Sequence, residues 1–326
     1  MQHQAPSPLL LQDRNRALDW MTAAAPVLLM AFYYYRWPVL GLALLAAAGY
    51  VAVYALLHWA KLAPLSVSPA LAAGAWLAML FSASTPLWVA AIAGMAAAII
   101  AFVPELLGRK WPSVRPRLHP VLIGFLLVRW VFPQWIESYT LPALWQSAEA
   151  VPTATTLAPL AAPAQHDVWH LFIGMRESAL GTGCVPVLVL AALYLLLRRR
   201  LRLIAPTVML ATVAGLSWLV WDAPLQGMLV GGTVVAALLL ADRACAPDQY
   251  SIQAATGFVA GGLTVLCRAM TGNDGCVAAV LAACLLSPLY PTLWRIGRWL
   301  VVRIVGLIKK IFTFLHKKFT KSENKC

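Results

Sequence analysis

The chain has 326 residues, of which 61% are hydrophobic and 11% are charged, and its formal net charge is +13. A soluble domain carries roughly a quarter of its residues as charges, so this composition excludes an ordinary soluble protein. The basic charge does not indicate nucleic-acid binding, because the Lys and Arg residues cluster at the ends of apolar runs and in the tail, as in the cytoplasmic loops of membrane proteins. The Cys residues show no CxxC pair and no metal-ligand spacing, so no metal site is predicted.

Apolar runs follow one another along nearly the whole chain. Each is long enough to cross a hydrocarbon core about 30 Å thick, where backbone polar groups must be satisfied within the segment and helices are therefore favoured. We predict an all-α, polytopic membrane protein with about ten transmembrane helices. The predicted spans are Trp20–Tyr35, Trp37–Trp59, Pro69–Ser84, Pro86–Leu106, Leu118–Pro133, Ala179–Leu196, Leu201–Trp221, Leu225–Ala241, Gln253–Met270 and Gly275–Trp294.

The spans fall into two groups of five, although no internal sequence repeat relates them. We divide the chain into an N-terminal segment (1–19), a first transmembrane half (20–133), a long connection (134–178), a second half (179–294) and a tail (295–326). In the tail, apolar residues recur at three- and four-residue spacing with lysines between them. This pattern predicts a basic amphipathic helix on the cytoplasmic leaflet, or alternatively one that packs on a partner.

The charges of the loops predict the orientation of the chain. Basic loops alternate with neutral or acidic ones, and the connection 134–178 belongs to the second kind. By the positive-inside rule both termini are cytoplasmic and this connection is external. The N-terminal segment lacks the apolar core of a signal peptide.

Three blocks of small, proline and charged residues occur in a fixed order along the chain. They are His119-Pro120 followed by Gly124 and Phe132-Pro133; Gly231-Gly232 followed by Ala241-Asp242-Arg243; and Gly257, Gly261 and Arg268 followed by Asp274-Gly275. Each block alone is weak, but together they resemble the RnfD/NqrB family of membrane subunits from ion-translocating electron-transport complexes, and the resemblance covers nearly the whole chain.

A further block resembles the family's flavin-attachment motif, D-G-x-S-G-A-T, whose last Thr takes FMN through a phosphodiester bond. Here the motif reads Glu149-Ala150-Val151-Pro152-Thr153-Ala154-Thr155. The resemblance implies covalent FMN on Thr155, rather than on Thr153 or Thr156, with Glu149 in the place of the motif's acid. Small neighbours suit a hydroxyl that a flavin transferase must reach. The alternative is an Ala/Pro/Thr-rich linker that carries no cofactor.

Two acids of the family pattern have no counterpart here. Thr182 stands where a Glu is expected, and no Asp lies near Val67-Ser68-Pro69. Carboxylates within the membrane are the usual candidates for an ion relay. The chain is therefore either a coupled subunit or a diverged one that keeps the flavin and handles ions differently.

Arg129 and Arg268 are strongly basic residues near the outer ends of predicted spans. They either extend to the outer headgroups or neutralise the phosphate or the reduced ring of the flavin, since Arg suits phosphate through bidentate contacts. Asp242, beside Arg243 at the cytoplasmic end of the eighth span, is either a solvated interface acid or part of a site for an ion or for a second, non-covalent flavin such as riboflavin.

The resemblance implies a subunit of a redox-driven ion translocase in a bacterial inner membrane, of the ferredoxin/NAD oxidoreductase type, which passes electrons coupled to Na⁺ or H⁺ movement. Its expected partners are other membrane, iron–sulfur and flavin subunits, a flavin transferase for maturation, and the lipid bilayer. The alternatives are a secondary transporter built from two five-span halves and a membrane anchor of the same fold without ion coupling.

Overall fold

The structure, a computed structural model, describes residues 14–63, 67–110, 119–136, 139–140, 142, 157, 160, 167–176, 178–243 and 245–290, with the backbone alone over 104–110. The chain forms two compact units, residues 1–285 and residues 286–326. The described part of the second unit is the last residue of a helix followed by one turn of 3₁₀-helix, Ser287–Leu289.

The described residues form helices and no extended strand; two isolated β-bridges, Thr140 with Ser178 and Leu201 with Asp242, are the exceptions. The helical prediction is confirmed. In chain order the helices are α1 Arg14–Tyr35, α2 Trp37–Trp59, α3 Val67–Leu80, α4 Leu87–Lys110, α5 Pro120–Val131, α6 Pro133–Ile136, α7 Val168–Ile173, α8 Val185–Leu197, α9 Ile204–Trp221, α10 Pro224–Leu229, α11 Thr233–Leu240, α12 Tyr250–Thr271 and α13 Cys276–Leu286.

Four of these helices, α1, α2, α9 and α12, are long and apolar enough to cross a membrane, and further apolar helices are shorter. Proline occupies the first turn of α2, α5, α8 and α10. A proline there costs no hydrogen bond, because the first amides of a helix have no partner within it. These prolines therefore mark the first turn of each of the four helices.

The eighth predicted span, Leu225–Ala241, is not one helix. It is broken at Val230–Gly232 into α10 and α11. Gly231 has a φ of +65°, which favours glycine, and a Cβ at this position would overlap the carboxylate of Asp274. The break exposes backbone polar groups inside the protein, and charged side chains bind them, as described below.

The two short helices α3 and α11 lie inside the first unit. Apart from Leu71, every residue of α3 from Pro69 to Leu80 is buried, and so is every residue of α11 except Val234. The outer helices present large apolar side chains instead, such as Trp218 and Leu219 on α9, which are 65% and 80% exposed. An apolar outer surface of this kind is suited to a lipid bilayer.

Small residues allow two pairs of helices to pack closely, α2 with α4 and α9 with α12. A Cβ at Gly49 or Gly94 would overlap a backbone carbonyl of the partner helix. A Cβ at Gly257 would likewise overlap the backbone carbonyl of Ala205. Close packing through small residues is typical of membrane helices. Helix contacts of the first five spans recur in the second five. The contact of α1 with α3 corresponds to that of α8 with α11, and the contact of α2 with α3 corresponds to that of α9 with α11.

Candidate functional site

Arg268, in the last turn of α12, is buried and binds the broken span. Its Nη1 donates to the carbonyl of Gly227 at 2.8 Å, and its Nη2 donates to the carbonyl of Val230 at 3.0 Å and to Thr233 Oγ1 at 2.6 Å. Nε and Nη2 also donate to Asp274 Oδ1, at 3.2 and 2.9 Å. Arg268 therefore satisfies the carbonyls that the break leaves without helical partners, and with 2% of its surface exposed it does not extend to the headgroups.

Asp274, in the turn between α12 and α13, is the centre of this group. Its Oδ2 accepts from the amide of Gly232 at 2.7 Å and lies 3.2 Å from Cys276 Sγ, and its carbonyl accepts from Arg129 Nη1 at 2.5 Å. Burial alone would raise the pKa of Asp274, but the guanidinium of Arg268 and the amide of Gly232 hold that pKa below its ordinary value. Asp274 is therefore ionised at neutral pH.

Arg176 completes what we call the Asp274 cluster, formed by Arg129, Arg176, Arg268 and Asp274. Its Nη2 donates to the carbonyls of Thr182, at 3.3 Å, and Leu229. Its Nε and Nη1 are buried without a partner among the described residues. Burial lowers the pKa of Arg176 to about 10, so its side chain stays charged at neutral pH.

The Asp274 cluster has an excess of positive charge and almost no free space. The cluster contains three arginines and one carboxylate, which gives these four residues a net charge of +2. The adjacent cavity, between Arg129, Tyr139, Thr182 and Asp274, measures about 20 Å³, and roughly 10–15 Å³ on this measure holds one water. The cluster therefore combines an excess of positive charge with two buried, unpaired donors of Arg176, and it does not enclose a large ligand.

A second buried group lies at the other end of α5 and α11, and we call it the Asp242 cluster. Arg16 Nη2 of α1 donates to Asp242 Oδ1, and Nε2 of His119, the residue before α5, lies 3.7 Å from Oδ2. Asp242 is 2% exposed. The interpretation of Asp242 as a solvated acid is therefore wrong. Directly after α11, the backbone of Asp242 forms a β-bridge with Leu201, and the Asp242 carboxylate contacts Arg16 of α1.

Three buried groups of this region have no partner among the described residues: Arg16 Nε, Trp20 Nε1 and His119 Nδ1. The Trp20 and His119 rings lie 6.1 Å apart. Unpaired buried polar atoms are costly in a low-dielectric interior. These atoms fit a small polar guest, such as a water or an ion.

The two halves of the chain are also joined by Asp19 of α1. Its carboxylate accepts from Nε of Arg198 at 2.9 Å and from Nε of Arg200 at 2.6 Å, both in the loop between α8 and α9. The partners in these two ion pairs are 179 and 181 residues apart in sequence, and Arg16 and Asp242 are 226 residues apart. Sequence patterns carry no signal for such pairs.

The structure brings together some of the predicted site residues. Arg129 and Arg268 meet at Asp274, and Asp242 lies in a separate cluster. The attachment motif with Thr155, together with Thr153, Thr156 and Glu149, lies outside the described residues. Asp274, Arg176, Arg16 and His119 were not predicted as site residues. For Asp274 a signal was present, because it follows Arg268 by six residues, in the turn that begins where Gly272 ends α12.

The sequence is similar to those of known membrane-complex subunits. The chain is 26% identical over 347 aligned positions to the D subunit of the ion-translocating oxidoreductase complex of Halorhodospira halophila, an alignment that covers 92% of this chain and 93% of that protein. It is 27% identical to the D subunit of the Na(+)-translocating ferredoxin:NAD(+) oxidoreductase complex of Acetobacterium woodii, over 88% of this chain and 89% of that protein.

A third relative, the D subunit of the proton-translocating ferredoxin:NAD(+) oxidoreductase complex of Clostridium ljungdahlii, is 30% identical over 36% of this chain and 39% of its own length. Residues 12–295 match the family described as "NQR2, RnfD, RnfE family". This range includes every helix of the first unit and both buried clusters. The chain therefore belongs to the NQR2, RnfD, RnfE family.

Proposed function

We propose that this chain is the membrane subunit of a redox-driven, ion-translocating complex and that it carries FMN covalently on Thr155. The observation that carries the proposal is the family match over residues 12–295, with relatives named as the D subunits of ferredoxin:NAD(+) oxidoreductase complexes. The complex passes electrons between a cytoplasmic donor and other flavin and iron–sulfur subunits. Bound FMN supplies the electron-transfer chemistry.

The Asp274 cluster supports a site for an anionic cofactor on this side of the molecule. It lies where α5 ends and the chain enters the connection that bears Thr155. A net charge of +2 over its four residues favours a phosphate or an anionic reduced ring nearby, and Arg129 and Arg176 are the arginines whose charge would act on it. Arg268 already has Asp274, three carbonyl or hydroxyl acceptors and little exposed surface, so its part is to position the cluster.

The size of the cavity limits how the cluster acts. A space of about 20 Å³ admits a water and excludes a tricyclic ring. Within the proposal, the arginines therefore act on the flavin by charge across a short distance. A fixed positive charge favours the anionic reduced form over the neutral oxidised form, which raises the flavin's potential.

The Asp242 cluster is the place we propose for an ion or a second, non-covalent flavin such as riboflavin. Its buried carboxylate faces both Arg16 and His119, and unpaired polar atoms lie close by. The coupling of electron transfer to Na⁺ or H⁺ belongs to the same proposal. So do the bacterial inner membrane, the cytoplasmic termini, the partner subunits and the flavin transferase.

One observation favours the alternative of a secondary transporter. The broken span, α10 and α11 with charged side chains at the break, is the kind of discontinuity on which transporters build substrate sites. The break is filled by Arg268 and Asp274, which satisfy each other and the freed backbone groups. A break filled in this way is equally consistent with a redox protein, in which the ion pair acts as a rigid support.

The proposal is tested by peptide mapping of the protein co-expressed with a flavin transferase. The peptide containing Thr155 should carry the mass of FMN, and Thr155→Ala should lose that mass while the protein still inserts in the membrane. Thr153→Ala and Thr156→Ala are the matched controls and should keep it. An adduct that persists in Thr155→Ala would reassign the site, and an unmodified parent protein would overturn the proposal.

A further inference from the structure

A small apolar cluster, separate from the main core, lies at the first half of the broken span. Two of its buried residues, Leu157 and Leu160, come from the long connection, and the other two, Ala223 and Val230, flank α10. Trp221, the last residue of α9, packs against them. We call this group the Leu157 anchor. Through it, the connection between the two groups of spans contacts the broken span.

The two leucines stand out in their part of the sequence. They are the only large apolar residues between Pro152 and Asp167, where the other residues are small, proline or polar. The amide of Leu160 donates to the carbonyl of Leu157 at 2.8 Å, which brings the two residues together as in a β-turn. They are 8% and 4% exposed. Both leucines are therefore committed to the contact with α10.

The Leu157 anchor holds the connection in place rather than the helix bundle together. Its buried residues form a cluster of their own, and small satellite clusters of this kind occur under long loops. Burial of the two leucines favours the docked connection over a free one. Because each buried leucine contributes a large apolar surface, the loss of one should lower the ratio of docked to free connection by at least about tenfold.

The Leu157 anchor and the Asp274 cluster share Val230. The side chain of Val230 lies in the anchor, and its carbonyl accepts from Arg268 Nη2 at 3.0 Å. Gly227 makes a second link, because its amide donates to the carbonyl of Ala223 at 3.0 Å and its carbonyl accepts from Arg268 Nη1 at 2.8 Å. The connection is therefore docked on the same short helix that Arg268 binds.

We propose that Leu157 and Leu160 are positioning residues for the covalent flavin, which they keep close to the positive charge of the Asp274 cluster by docking the connection on α10. The inference rests on the proposed function, in which Thr155 carries the FMN. Thr155 precedes Leu157 by two residues, and two residues of chain span at most about 7 Å. A group attached there is tethered close to Val230 and Arg268. Proximity matters because the interaction between charges weakens with distance.

The first test needs no flavin. In the full-length protein with its native cysteines replaced, Ala223→Cys is combined with Leu157→Cys or with Leu160→Cys, so that the remaining leucine still docks the connection. Mild oxidation should form a disulfide in at least one of the two pairs, because contacting residues can reach the Cα separation of about 4.4–6.8 Å that a disulfide needs. The matched control combines Leu160→Cys with Leu219→Cys. Leu219 is 80% exposed on α9, and this pair should stay unlinked.

The second test uses the full-length protein co-expressed with a flavin transferase. Leu157→Ala combined with Leu160→Ala should leave the attachment intact, because Thr155 is unchanged, and the denatured band should stay fluorescent. In the folded protein, the fluorescence anisotropy of the flavin should fall. Its reduction potential should fall too, because the anionic reduced form moves away from the positive charge. Leu219→Ala is the matched control and should change neither. A purely structural role of the leucines would lower the unfolding temperature without moving the potential.

The two tests separate failure of the anchor from failure of the proposed function. If neither cysteine pair links, or if the double alanine variant keeps the anisotropy and the potential of the parent, the leucines do not position the flavin and the proposal is overturned. If the parent protein carries no FMN, the proposed function fails and the positioning role fails with it, even where the cross-links form. A flavin-bearing parent without cross-links removes the anchor alone.

Discussion

Arg268 is buried against Asp274 and against the carbonyls of Gly227 and Val230. Its guanidinium supplies the donors that these carbonyls lack within their own helix. Those carbonyls are free only because the eighth span is broken, and a residue count does not reveal the break.

Replacing Asp274 should destabilise the protein. Asp274→Asn leaves Arg268 buried without its counter-charge, which we expect to cost about 3–5 kcal/mol. Thermal unfolding in detergent measures the loss, with Asp222→Asn, at an exposed helix end, as the matched control. Equal unfolding temperatures in Asp274→Asn and the control would show that the ion pair does not stabilise this fold.

The pH dependence of this ion pair has a definite sign. The folded-state pKa of Asp274 lies below its ordinary value. Its stabilisation is therefore fully present above the unfolded-state pKa of about 3.9 and is lost as the pH falls through the lower folded value. Asp274→Asn should remove that acid-side dependence.

The lengths of the apolar runs predicted most of the helices, but some of the predicted helix ends were wrong. α1 already includes residues 14–19, ahead of the predicted start at Trp20, and the charges of Arg16 and Asp19 in this part of the helix are paired with partners from the second half. α3 ends at Leu80 rather than Ser84. The amides of Leu180 and Gly181 bind the carbonyls of Phe81 and Met79 there, so the segment before α8 competes with the next turn of helix.

The close packing of α2 on α4 should be sensitive to one methyl group. Gly94→Ala places a Cβ on the carbonyl of Ala46, so the helices must separate, at a cost of about 1–3 kcal/mol or more. Gly215→Ala in α9 is the matched control, since nothing lies within 4 Å of its Cβ, and it should be neutral or stabilising by up to about 1 kcal/mol. Unfolding in detergent compares them; equal behaviour would contradict the contact.

Composition was sufficient to predict the helical membrane class, and the sequence resemblance was sufficient to predict the family. The two buried clusters could not be predicted, because each joins residues from distant helices. Arg36, between α1 and α2, also departs from the charge pattern that predicts the orientation. The orientation therefore needs its own measurement.

A cysteine at position 161 should be labelled by an impermeant maleimide added to intact cells, and one at position 113 only after lysis. Ala161→Cys and Ser113→Cys are made after the native cysteines are replaced, so that each carries a single thiol. The expectation follows from the positive-inside rule applied to the basic loop 109–117 and the connection 134–178. Reversed labelling would place Thr155, and the proposed flavin, on the cytoplasmic side.

In-gel flavin fluorescence of the denatured protein shows whether this family member carries a covalent flavin. Only a covalently attached flavin remains with the chain after denaturation and electrophoresis. With a flavin transferase co-expressed, we predict a fluorescent band at the mass of the 35.3 kDa chain. The same band without the transferase should be dark. A dark band in its presence, for a protein that is inserted and folded, would show that the chain carries no covalent flavin.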